Sequence, residues 1–459
     1  MERGKLLVRD KSFYKLVFTL AVPVILQSMI TIGVNMMDTM MLGSYGEVQL
    51  SASSLANEFI NIFQILCMGM GGGAAVLTAQ YWGRQDIHAL KRVVALMLRL
   101  CIVIATAFAL ATWFFPDFLM GFYTQDAAII DKGALYFRIS ALCYPLMGVA
   151  LTLTIVLRSV RNVRLPLISS IVAFFVNIFF NWVFIFGHLG APEMQIEGAA
   201  LGTLIARLAE CGIIGGYFLF ADKKIGFRLR DLFVSCKAYT ATFFKYSLPV
   251  IISDTLLALG NNMVAIIMGH IGASFVAANA IVSQTVRLST VFNQGLSNAS
   301  GIITGNTLGA GERDKAYRQG VTFFLLSIAI GVAAAGIILI LCPIFIANFN
   351  ITADTQAIAY ELMAAVAVMV VFQTVQGVLT KGVLRGGGDT RFLMIADMLF
   401  LWLVSVPAGY LAGLVLHLPA FWIYIALKLD WAIKSIWCAF RLRSRKWIRV
   451  VEDPEEGAA

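Results

Sequence analysis

LAVPVI at residues 20–25 and YSLPVI at residues 246–251 are one element written twice, 226 positions apart. In that register residues 21–92 lie over 247–318 without a gap. Pro23 meets Pro249, Asn35 meets Asn261, Gly43 and Gly46 meet Gly269 and Gly272, Gly69 meets Gly295, Gly83 meets Gly309 and Arg92 meets Arg318. The shared positions are mostly helix breakers and turn formers, which set backbone path. Asp38 departs from the pattern, because its counterpart is Val264. The match continues weakly at offset 227, where LRSVRNVR (157–164) lies over LRGGGDTR (384–391). Both are Arg-bearing turns between the fourth and fifth segments of a half.

The chain is 59% hydrophobic and 13% charged over 459 residues, against about 25% charged in soluble proteins. No soluble core of this size absorbs that much apolar surface. Twelve apolar runs have the length a bilayer requires, about 20 residues: 14–42, 50–82, 93–115, 133–157, 165–187, 196–220, 246–269, 277–308, 319–342, 356–384, 392–414 and 419–440. Several exceed the minimum, which predicts tilted or bent helices. The N-terminus lacks the short apolar run and cleavage site of a signal peptide, so the first segment is expected to be retained. The expected fold is an all-α integral membrane protein, with twelve transmembrane helices in two six-helix lobes related by a parallel internal repeat. The lobes are expected at 1–225 and 226–459, joined by a cytoplasmic linker at 221–245 with an amphipathic middle that lies along the membrane surface. The acidic tail EDPEEGAA is expected to be disordered.

The net charge of +9 does not mark a nucleic-acid partner, because it is segregated by loop. With a cytoplasmic N-terminus, the inside segments hold clusters such as Arg84, Lys91 and Arg92, Arg158, Arg161 and Arg164, and Arg441 to Arg449, while the outside segments hold Lys132 alone. This asymmetry places both termini in the cytoplasm of a multi-pass cell-membrane protein and brings basic residues to anionic lipid. The seven cysteines form neither a C-x-x-C pair nor a metal spacing, so they read as small buried thiols. His88, His188, His270 and His417 fall in loops or at helix ends, which leaves little material for a metal centre or a histidine relay. GMGGGAAV (69–76) lacks the Lys-Ser/Thr of a phosphate loop and reads as a close-packing segment. With no nucleophile–His–acid set either, an enzyme is not expected. A duplicated membrane bundle with an acid in one copy predicts a transporter with a single coupling site.

VNMMDTMMLG (34–43), NIFFNWVFIFG (177–187), EGAALGTLIAR (197–207) and LRGGGDTR, in that order over residues 12–440, resemble the multidrug and toxic compound extrusion (MATE) family. The resemblance implies two six-helix lobes facing a central cavity, and export of cationic amphipathic compounds against inward flow of H⁺ or Na⁺. It is closest to the DinF-like branch, in which an aspartate of the first helix carries the coupling ion fifteen residues after a proline. Pro23 and Asp38 keep that spacing. The NorM-like branch carries further carboxylates in its seventh and tenth helices. Here the tenth-helix position is Thr374, and Asp254 stands at a different place along the seventh.

An ionisable group in mid-membrane costs several kcal/mol unless paired or hydrated. Counted at ~1.5 Å per residue, Asp38, Asn181 and Thr203 lie at similar depth in the outer half of one lobe, with Asn177 one turn deeper. This group is the expected cation-coupling site, with Pro23 as its conformational hinge. Asp254 and Arg287 are placed to meet as a buried pair in the second lobe, more in keeping with structure than with substrate contact. Arg207 with Glu210 and Asp430 with Lys434 read as self-neutralising pairs on one helix face. Glu58 and Asp397 lie within about two turns of helix ends and are expected to reach water.

These residues predict a monomeric secondary antiporter for organic cations, without cofactor, coupled to H⁺ in preference to Na⁺ because Asp38 is the lone anion of its cluster. The alternative is a flippase for a lipid-linked or amphipathic anionic substrate, which would require an excess of cationic residues in the cavity.

Overall fold

The computed structural model describes residues 7–348 and 351–452. The regular elements among them are all helical. Among the described residues nine single helices are long and apolar enough to cross a membrane, and two bent pairs raise the number to eleven. The fourth expected segment is one such pair, Ala127–Ser140 and Cys143–Ser159, bent by 54°. Pro145 sits in the first turn of the second member and cannot donate the hydrogen bond that would continue the ladder. The eighth is the other pair, Ala273–Arg287 and Thr290–Gly309, bent by 48°. The twelfth expected segment, 419–440, divides into Ala420–Leu427 and Leu429–Arg443. Lys428, Asp430 and Lys434 interrupt its apolar run within two turns. The acidic tail from residue 453 lies outside the described residues.

Packing divides the chain into two compact units. One comprises the chain up to Ile25, Ala79–Gln85 and everything from Phe244 onward; the other comprises Leu26–Thr78 and Asp86–Phe243. The expected halves at 1–225 and 226–459 follow the repeat. Packing instead assigns the start of the first helix and the end of the second to the unit of the second half. The first helix, Lys11–Gly43, runs unbroken through Pro23 and changes unit between Ile25 and Leu26.

The repeat is visible in the backbone. Gly46 and Gly272 turn the chain after the first helix of each half with φ of +138° and +147°, a region open chiefly to glycine. Within the first-described unit, a Cβ on Gly83 would lie 2.1 Å from the Asn306 carbonyl oxygen, and one on Gly309 would lie 2.0 Å from that of Gln80. Gln80 and Asn306 are themselves repeat partners, so one two-fold operation exchanges both contacts. The second-described unit is built around Leu42, Ala52, Ala56, Phe137, Ile185 and Ala200, all at most 3% exposed. Gly71 of the glycine-rich segment faces Ile155, whose Cδ1 would stand 2.2 Å from an added Cβ, in keeping with close packing. Residues 222–236 of the linker form one short turn, Leu229–Phe233, rather than a helix along its middle, and its remainder from Lys237 belongs to the seventh helix, Lys237–Ile271. Asp231 accepts from the Arg228 backbone at 2.9 Å, which caps the start of the turn, and pairs with Lys91 at 3.3 Å, which ties it to the third helix.

Candidate ion-coupling site

Asp38 stands on the first helix, fifteen residues beyond Pro23. Asn177 and Asn181 are one turn apart on the fifth helix, Arg164–Phe186, and therefore share a face. Thr203 lies on the sixth, Ile196–Gly216. The structure joins all four. Asn181 Nδ2 donates to Asp38 Oδ1 at 2.6 Å and to Asn177 Oδ1 at 3.4 Å, and Asn177 Nδ2 donates to Thr203 Oγ1 at 3.4 Å. Asn181 is fully buried and Asn177 is 2% exposed, so each amide is held by its neighbours rather than by water.

Two glycines that the sequence reading left without a role make this approach feasible. A Cβ on Gly202 would lie 2.2 Å from Asn181 Oδ1, and one on Gly198 would lie 2.6 Å from the Phe184 carbonyl. Their four-residue spacing is the small-residue pattern that lets two membrane helices come close; that spacing was the available signal. Asn181 Oδ1, facing Gly202, is buried and has no hydrogen-bond partner among the described residues. Arg207 stands one turn beyond Thr203 on the sixth helix. Arg207 in turn pairs with Glu210 at 2.6 Å, as expected for residues three apart.

The other unit corrects two expectations. Asp254 pairs with Arg385 at 3.5 Å, while Arg287 is exposed. Depth counted along the sequence places Arg287 beside Asp254, but the turn at LRGGGDTR is the element that packs against the Asp254 face. Asp397 does not reach water: it is 5% exposed and holds Lys434 Nζ at 3.1 Å. Lys434 pairs at the same time with Asp430 at 2.9 Å. Ser253 donates to Asp397, and Ser405 donates to Asp430 at 3.1 Å. The cluster is dry and mutually satisfied, so it reads as structural. Glu58 is exposed. Thr374 is buried and turns its hydroxyl back to the Val370 carbonyl at 2.9 Å. No group of three or more His, Cys, Asp or Glu side chains among the described residues is arranged to hold a metal ion.

The MatE family model matches this chain twice, over residues 23–183 and 249–411. The chain belongs to the MATE family. The two matches begin at Pro23 and Pro249, the register read from the repeat, so each half of this MATE transporter is one copy of the family unit. Among curated relatives, the probable multidrug resistance protein NorM of Mesorhizobium japonicum is 27% identical over 443 residues, covering 94% of this chain and 92% of the relative. Multidrug resistance protein PmpM of Pseudomonas aeruginosa is 25% identical, over 89% of this chain and 85% of its own length. Among solved structures, a MATE protein in the bent conformation superposes with a TM-score of 0.84 at 18% identity, covering 95% of this chain and 96% of that one. A likeness at that identity shows the shared all-helical membrane fold, and it agrees with the parallel-repeat architecture expected for the chain.

Proposed function

We propose that this MATE protein is a secondary antiporter of the DinF-like branch, exporting cationic amphipathic compounds from the cytoplasm in exchange for protons bound at Asp38. The observation that carries the reading is that Asp38 is the lone carboxylate in a hydrogen-bonded cluster with Asn177, Asn181 and Thr203. A packing cluster is made with amides and hydroxyls alone at lower cost, so a carboxylate there calls for a function. The multidrug names of the relatives support the substrate class, and the Pro23–Asp38 spacing supports the branch. Ionised, Asp38 attracts a cationic substrate. A proton arriving from outside removes that attraction and releases the cargo; losing the proton to the cytoplasm restores it. Asn177, Asn181 and Thr203 hold the side chain in one geometry through both states. The protein acts as a monomer with both termini in the cytoplasm.

One observation favours Na⁺ as a second reading for the coupling ion: the partnerless Asn181 Oδ1 is an oxygen of the kind a hard cation takes. The test is efflux of ethidium from proteoliposomes, driven by a pH gradient or by a Na⁺ gradient alone. Asp38→Asn preserves volume and should lose uphill transport, and Asn181→Ala should weaken it less. Undiminished pH-driven efflux by Asp38→Asn at matched protein levels rules Asp38 out, and efflux driven by Na⁺ alone selects the sodium reading.

A further inference from the structure

Each half of the repeat carries an arginine that reaches from the turn after its fourth segment to its first segment, just beyond the shared proline. In the first half Arg158 donates to Gln27 Oε1. Gln27 Nε2 in turn donates to Ser170 Oγ at 2.8 Å and to the Pro166 carbonyl at 3.5 Å. In the second half Arg385 pairs with Asp254 at 3.5 Å. Arg158 and Arg385 are repeat partners at offset 227, and Gln27 and Ser28 fall on Ser253 and Asp254 at offset 226. Gln27 stands four residues past Pro23, and Asp254 stands five past Pro249. The placement recurs while the chemistry differs: a neutral amide in one half, a carboxylate in the other.

A proline leaves the carbonyl four residues before it without its helical partner, so the helix is softest there. On both sides of Pro23, from Ala21 to Ile25, the helix is wedged within the first-described unit. A Cβ on Gly295 would stand 2.4 Å from Ile25 Cγ1 and 2.9 Å from the Ala21 carbonyl oxygen. Past the change of unit at Leu26, the Arg158–Gln27 contact is the first polar anchor. Separating Asp254 from Arg385, whose side chains are 18% and 14% exposed, strips two opposite charges of their partner, which costs more than parting a charge from a neutral amide. Separating Gln27 from Arg158 parts a cation from a neutral amide and leaves no carboxylate behind. We propose that Arg158 and Arg385 are equivalent positioning residues that set the course of the helix beyond Pro23 and Pro249. The neutral first-half grip releases during the transport cycle, and the ionic second-half grip stays closed. This rests on the antiporter reading above.

The test converts one grip into the other and reads turnover apart from affinity. Gln27→Glu is isosteric and installs an ion pair with Arg158. Ethidium counterflow, which needs no ion gradient, should slow at least about tenfold in kcat with KM within about twofold, while Tm holds or rises. Adding Arg158→Gln to Gln27→Glu removes the ion pair and should restore turnover. Asp254→Asn makes the second grip neutral; it should lower Tm and leave turnover within about twofold of wild type. Wild-type turnover in Gln27→Glu, a change confined to KM, or equal slowing by Asp254→Asn each overturns the proposal. The Asp254→Asn arm stands by itself if Gln27→Glu does not fold. Because counterflow is independent of coupling, undiminished pH-driven efflux by Asp38→Asn would sink the proton reading and leave this counterflow comparison intact.

Discussion

Replacing Gly202 with alanine tests whether the coupling cluster depends on the close approach of the fifth and sixth helices. The new Cβ would stand 2.2 Å from Asn181 Oδ1 and 3.0 Å from the Asn181 backbone nitrogen, where ordinary contact begins at 3.4 Å. The amide must therefore retreat by about 1.2 Å, because the tightly packed backbone gives less easily than the side chain. The Asn181–Asp38 hydrogen bond is 2.6 Å long, and a retreat of that size takes it past the roughly 3.2 Å at which such bonds fade. A hydrogen bond to a charged group is worth about 1.5–3 kcal/mol, or about 10- to 150-fold in an equilibrium constant. Efflux driven by a fixed pH gradient should fall by one to two orders of magnitude. Gly198→Ala is the matched control. Its Cβ would meet the Phe184 carbonyl at 2.6 Å on the same helix interface, one turn away from the cluster. Overpacking of that kind costs about 1–3 kcal/mol, so Gly198→Ala should lower Tm and keep its transport per folded molecule. Efflux and Tm are measured side by side in proteoliposomes at matched protein content. Equal efflux from the two alanine variants would refute the link between Gly202, Asn181 and Asp38.

Lys434→Met strips the shared cation from Asp397 and Asp430, which are 5% and 2% exposed. Breaking a buried ionic network costs about 3–5 kcal/mol, a large part of a typical folding stability, so folded yield and Tm should drop sharply. The triple variant with Asp397→Leu and Asp430→Leu should recover most of the loss, and an unchanged Tm in Lys434→Met contradicts the structural reading. For topology, a cysteine at exposed Ser44 should react with an impermeant thiol reagent in intact cells, whereas one at exposed Lys315 should not. The opposite pattern reverses the membrane orientation.

Much of the candidate site was legible because its parts obey local rules. The one-turn spacing of Asn177 and Asn181 places both on a single face, and counting residues from the helix ends puts Asp38 and Thr203 at matching depth. The same counting failed for Asp254, because equal depth does not say which neighbouring helix turns a charge towards it. It failed for Asp397 as well. Two turns from a helix end suggests water, yet Lys434, on a segment that the charges themselves interrupt, reaches it first. Gly202 was quoted within a motif without a role, since the space a missing side chain leaves has meaning only once its neighbour is known.

The sequence by itself determined the duplication, the nearly complete count of membrane helices and the positions of their turns. Apolar run length, prolines and glycines act through the backbone within a few residues, so they can be read in order along the chain. Tertiary structure alone decided the partners: Asp38 with Asn181, Arg385 with Asp254, Lys434 between two aspartates, and the first helix passing from one unit to the other after Ile25. Those pairings join residues up to 143 positions apart. They depend on which helix faces meet across the bundle, and periodicity along one helix carries no record of the face opposite.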